Sequence, residues 1–171
     1  MEKTKNLFLS TIIAVAMMIT TVFCFTACGE QPVKADDVIG DWNTLSATYT
    51  EEGHDTVTYT YQRFVELRDK ADKTPEETNE YNAMLHYYIF KYKVVQGEEQ
   101  NTIKLATYSA PDNYQDIGTW VIENAKLVVT INPASFPNVN TVTTEYKNGN
   151  LIVTATGDDF VTVFTLGKIV A

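Results

Sequence analysis

Cysteine is nearly missing. The 171-residue chain has two, Cys24 and Cys28, and both stand in its first 28 positions. From Gly29 onward no disulfide can form and no thiol is available as nucleophile or metal ligand. Stability over that stretch must come from a hydrophobic core, which a chain of this length can build. Histidine is as scarce. His54 and His86 are the only two, and neither belongs to a His-x-His or His-Glu-x-x-His spacing, so no metal centre is expected. After Ser10 the serines are Ser46, Ser109 and Ser135, none inside Gly-x-Ser-x-Gly. The familiar catalytic constellations are therefore lacking. The expectation is a protein that is not an enzyme, with no catalytic residue and no cofactor.

Positive charge is also in short supply. There are 13 Lys and Arg against 22 Asp and Glu, a net charge of −9. Such a chain is a poor partner for nucleic acid, whose affinity rests on neutralising phosphates. Anionic lipid repels it as well. The acidic doublets Asp36-Asp37, Glu51-Glu52, Glu76-Glu77, Glu98-Glu99 and Asp158-Asp159 lie in no Asp-x-Asp-x-Asp-Gly loop. They read as solvated carboxylates at turns and helix starts.

The chain opens with one long apolar run. Lys3 and Lys5 precede it, it extends from Leu7 to Phe25, and it stops at Phe25-Thr26-Ala27-Cys28-Gly29. Charge, apolar segment, then small residues is the layout of a secretory signal peptide. Thr26-Ala27-Cys28-Gly29 resembles the lipobox of bacterial lipoproteins, with Phe25 where that family prefers leucine. The resemblance implies cleavage between Ala27 and Cys28 and acylation of Cys28. Buried acyl chains contribute about 0.8 kcal/mol per CH₂, enough for two or three chains to hold an exported domain at a membrane. The expected organisation is a signal peptide over 1–27, a lipidated cysteine and tether over 28–37, and one domain over 38–171. The expected location is the periplasmic or outer side of a bacterial membrane.

The domain alternates like β structure. Val57, Tyr59 and Tyr61 interleave with Thr56, Thr58 and Thr60, the period of two that marks a strand. Strands are expected near 41–50, 56–62, 87–95, 102–108, 117–123, 126–131, 140–147, 150–156 and 160–166. Asn148-Gly149 is the strongest turn signal, since a type I′ hairpin needs positive φ at both positions. Between the second and third strands the period changes. Phe64, Leu67, Arg68 and Ala71 recur at helical spacing. Thr74-Pro75-Glu76-Glu77 has the make-up of a capping box with proline at N1. Tyr81, Met84, Leu85 and Tyr88 then form an apolar stripe. A helical hairpin is expected over about 63–87. The class read from this pattern is mainly β: short antiparallel strands forming a barrel or a sandwich, with an inserted helical hairpin.

Ile39-Gly40-Asp41-Trp42 at the first strand has an echo in Ile117-Gly118-Thr119-Trp120. With the lipobox, the short tether and the closing Thr162–Lys168 strand, this resembles a lipocalin-like domain of small bacterial lipoproteins. The resemblance spans about 38–168 and implies a closed barrel, so the expected fold is a mainly β, antiparallel up-and-down (lipocalin-like) barrel with the helical hairpin inserted at about 63–87. Lipocalins pack a basic residue of the last strand over the first tryptophan, and here only Lys168 could serve. The hairpin at 63–87 is outside the family's plain pattern. Candidate ligand contacts are Trp42, Tyr59, Tyr61, Tyr92 and Trp120. The tryptophans read more readily as plugs at the barrel end, and the tyrosines as strand residues packed for their own sake. Trp42 lies on the opposite parity to Leu45, Ala47 and Tyr49 unless a bulge intervenes. The expected function is a lipid-anchored envelope protein whose barrel binds a small apolar or amphipathic ligand. The alternative is a structural or protein-interaction module of the envelope with a plugged barrel.

Overall fold

The computed structural model describes residues 32–136 and 138–169. The leader, the Ala27–Cys28 junction and Cys28 itself lie outside them. Pro32–Ala171 is one compact unit with its own core, so it can fold without the leader.

The unit is mainly β. Nine antiparallel strands run β1 (Gly40–Glu51), β2 (Val57–Thr60), β3 (Phe90–Val95), β4 (Thr102–Thr107), β5 (Gln115–Glu123), β6 (Lys126–Ile131), β7 (Thr141–Lys147), β8 (Asn150–Thr156) and β9 (Phe160–Lys168). Their order is β6-β5-β4-β3-β1-β9-β8-β7, with β2 paired to β1 as a side branch. The two end strands, β6 and β7, approach each other without a ladder. The result is a nearly closed barrel of eight strands, which leaves almost no free sheet edge. Asn148 and Gly149 take φ values of 53° and 80°, the positive pair that the hairpin between β7 and β8 demands.

The central strand, β1, has a fork on one edge. Its outer half pairs with β2, from Ser46↔Thr60 to Tyr49↔Val57. Its lower half pairs with β3, from Gly40↔Val94 to Asn43↔Lys91. Thr44 stands between them, fully buried. Its Oγ1 accepts from the Phe90 N–H at 3.1 Å and donates to the Phe90 carbonyl at 3.2 Å. A side chain thus replaces the missing rung of the ladder, as buried backbone groups require.

On its other edge β1 carries a bulge. The pairing with β9 slips between Thr44↔Leu166 and Ser46↔Thr165, leaving Leu45 extra. Leu45 turns outward and is 45% exposed. Parity is thereby reset, so Trp42 and Thr44 below the bulge and Ala47 above it are all buried. A second slip, between Ile103↔Gly118 and Lys104↔Asp116, does the same in β5, where both Ile117 and Trp120 are buried.

The helical elements are a short turn before β1 and a hairpin inserted between β2 and β3. A single turn, α1 (Ala35–Val38), precedes β1. The hairpin is α2 (Tyr61–Asp69) and α3 (Pro75–Ala83), the latter continuing as a π-helical turn over Met84–Tyr88. It starts two residues before the expected 63, because the Thr60 hydroxyl accepts from the Arg63 N–H at 3.2 Å and caps the helix there. It also ends later than 87. The Ile89 N–H reaches back five residues to the Met84 carbonyl at 2.8 Å, so the strand begins only at Phe90. Thr74 and Glu77 form the capping box read from the sequence, with Pro75 at N1. Phe64, Leu67, Met84 and Ile89 make a small buried cluster, ringed by Tyr59, Tyr61, Tyr81 and Tyr108. Arg63 clamps α2 to α3 through a two-pronged bond to Glu80, at 3.1 and 2.9 Å.

Candidate functional site

The barrel interior is open. A cavity of about 540 Å³ runs between its walls, within the size range of small-molecule sites. Inward-facing residues of successive strands line it. Val94, Ile103, Leu127, Leu151 and Leu166 stand deep, and Leu105, Val129, Val153 and Phe164 stand higher. This is the simple consequence of period two: every second side chain of each strand points in.

One end is shut. The four-residue α1 lies there, with Val38 fully buried beside Trp42. The Trp42 indole N–H donates to the Val38 carbonyl at 2.9 Å. Lys168 lies over the Trp42 ring, its Nζ 5.7 Å from the centroid. The same ammonium donates to the carbonyls of Asp36 and Asp37, at 2.8 and 3.1 Å. Lys168 therefore makes the contact that the lipocalin resemblance implied, despite its late position. Gly40 makes room for it. Its φ is 137°, and a Cβ there would lie 3.1 Å from the Lys168 Cε. The echo motif is built alike: the Trp120 indole donates to the Val95 carbonyl at 3.1 Å. A Cβ on Gly118 would run into the Thr130 carbonyl oxygen.

The other end is the mouth. The π-helical turn brings His86, Tyr87 and Tyr88 to it, and the segment after β6 brings Ser135 and Phe136. Tyr87 is 68% exposed. Tyr88 stacks on Tyr59 at 4.3 Å between ring centroids and meets Tyr49 edge-on at 5.9 Å, while Tyr49 stacks on Phe160 at 5.9 Å. The rim is thus a row of touching aromatic rings. Burial pushes the Tyr88 phenol up to about 12, with the neighbouring Tyr59, Tyr49 and Glu51 adding to it. The inserted hairpin, foreign to the plain family pattern, supplies part of this mouth.

Of the five candidate contacts, the cavity wall contains Tyr92. Trp42 and Trp120 are buried at the shut end and do not line the cavity. Tyr59 backs the rim through Tyr88, and Tyr61 packs in the outer cluster against Phe64 and Tyr108. The missed lining residues had a signal in the sequence. They are the apolar members of each strand's alternation, such as Phe90 and Val94 on either side of Tyr92.

Polar groups in the wall are few. Tyr92 is 6% exposed, and burial raises its phenol pKa well above the ordinary value. Thr162 is buried too. Among the described residues, neither hydroxyl has a hydrogen-bond partner. His86 and Ser135 share the mouth but make no side-chain hydrogen bond among the described residues. Among the described residues no Lys, Arg, Asp or Glu lines the cavity, and no group of three or more His, Cys, Asp or Glu could hold a metal ion. Among those residues no helix is long and apolar enough to cross a membrane.

Together these features define a nearly closed antiparallel β-barrel around an apolar chamber, an architecture compatible with the lipocalin-like fold. No protein-family model matches the chain, and no curated protein matches it either.

Proposed function

We propose that this protein is a lipid-anchored, lipocalin-like binding protein of the bacterial envelope, and that its barrel carries a small apolar or amphipathic ligand. The observation behind this reading is the chamber of about 540 Å³ with its apolar walls. Apolar surface kept from packing against itself is costly, because its dispersion contacts and burial are forfeited. A ligand restores both. The role is binding and not catalysis. A barrel filled by its own side chains would have favoured the interaction-module alternative, and the open interior speaks against it.

The test is titration of residues 32–171 with Nile red. Binding in the micromolar range with a blue-shifted emission is expected. Ala155 lines the chamber and is its smallest wall residue, so Ala155→Trp sends an indole into space that is already empty. Affinity should fall at least about tenfold while the thermal midpoint changes little. Unchanged binding in that variant would place the probe elsewhere and sink the reading.

The anchor rests on the sequence around Cys28. Cys28→Ala should leave the protein unacylated and move it from the membrane to the soluble fraction. Continued sedimentation of that variant with membranes would overturn the anchoring.

A further inference from the structure

We propose that the barrel selects its ligand by head-group charge, accepting amphiphiles with a cationic head, such as an alkylammonium, and rejecting anions. The proposal rests on the binding reading above. The tail belongs in the apolar chamber, which has no charged group to receive a head. The head must therefore sit at the mouth.

The mouth is one-sided in charge. It is framed by the ends of β1 and β9 and by residues 52–56, 84–89, 108–114, 132–136, 138–140 and 157–159. These carry Glu51, Glu52, Asp55, Asp112, Asp158 and Asp159, and no Lys or Arg. The Tyr49 hydroxyl, on a residue that lines the chamber, donates to Glu51 Oε2 at 3.0 Å, which holds that carboxylate at the rim. Asp159 directly precedes Phe160 of the rim, and Asp158 accepts from Asn140 at 2.7 Å. The cations of the neighbouring hairpin, and Lys91 near the mouth end of β3, are engaged. Arg63 and Lys70 pair with Glu80 and Glu77, Arg68 pairs with Asp69, and Lys73 and Lys91 lie over the rings of Tyr81 and Tyr108.

The aromatic row adds to this. Tyr49, Tyr88, Tyr87 and Phe160 present rings beside the carboxylates. Ring faces attract alkylammonium groups and offer nothing to an anion. Carboxylates around a low-dielectric opening do the same at longer range. Both point one way: a positive head gains twice, a neutral head neither gains nor loses, and a negative head loses.

The experiment is displacement of Nile red from residues 32–171 by decyltrimethylammonium, decanol and decanoate, each below its micelle concentration, at neutral pH and low salt. The ammonium should displace at a concentration about tenfold lower than decanoate, with decanol between them. Added salt should narrow the gap. So should Glu51→Gln with Asp159→Asn, a pair that keeps the Tyr49 acceptor. Decanoate equal to or better than the ammonium overturns the proposal, as does a gap that survives both salt and the double variant. If Nile red itself does not bind, the binding reading falls and takes this one with it. If all three displace it equally, only the charge selection falls.

Discussion

Replacing Trp42 by alanine is expected to lower the free energy of unfolding by about 3–5 kcal/mol. The indole is fully buried at the shut end of the barrel and is the largest such side chain in the described core. Three separate interactions converge on it. The core residues around it lose packing, the Val38 carbonyl loses its donor, and Lys168 loses the ring beneath its ammonium. The α1 turn has only four residues and cannot hold itself in place. It should therefore detach when the indole goes. Domains of this kind have only about 5–15 kcal/mol in hand, so the loss is a large part of the whole. Urea denaturation of residues 32–171 followed by circular dichroism gives the number. A cost below about 1 kcal/mol would mean that the base of the barrel does not depend on this residue. Trp120 remains in the variant as a fluorescent reporter of the same end.

Thr44→Val should cost about 2–3 kcal/mol, the second-largest effect expected. Valine fills the same space, so packing is kept. What disappears is the hydroxyl that serves both the N–H and the carbonyl of Phe90. At the fork no strand stands ready to take over, because β2 pairs above Thr44 and β3 pairs below it. Two backbone groups would be left without partners beside the barrel core. Thr44→Ser keeps the hydroxyl and gives up a methyl, so it should cost clearly less. Parallel urea titrations of the two variants decide the matter. If serine costs as much as valine, packing and not hydrogen bonding holds the fork together.

Much of the architecture was legible because local rules carry it. The alternation of residues 90–95 reports which face is buried, and the strand falls where that period lies. The capping box at Thr74 and the Asn148-Gly149 turn are short-range devices whose chemistry is complete within four residues. Two features were not legible. The bulge at Leu45 changes which side of β1 faces inward, and it shows only in the pairing of β1 with β9, more than a hundred residues away in sequence. The π-turn at Met84–Tyr88 depends on a bond back from Ile89 that no periodicity announces. That turn is what carries His86, Tyr87 and Tyr88 to the mouth.

The candidate site divides in the same way. Tyr92 belongs to a strand alternation and its place in the chamber wall follows from it. Trp42, Trp120, Tyr59 and Tyr61 have the same aromatic chemistry, and composition alone does not sort them from Tyr92. Their positions relative to the chamber are set by which barrel end or outer face each one meets.

By itself the sequence determined that this is a run of short antiparallel strands, in a barrel or a sandwich, with a helical insertion after the second strand. It also determined that the domain is acidic and lacks disulfides, because composition, period and turn chemistry act within a few residues. Only the tertiary structure decided that the barrel is hollow. An inward-facing Leu or Val looks the same in sequence whether it meets a neighbour across the barrel or an empty chamber. The difference depends on strand number, bulges and closure, and these arise from contacts between residues far apart in the chain.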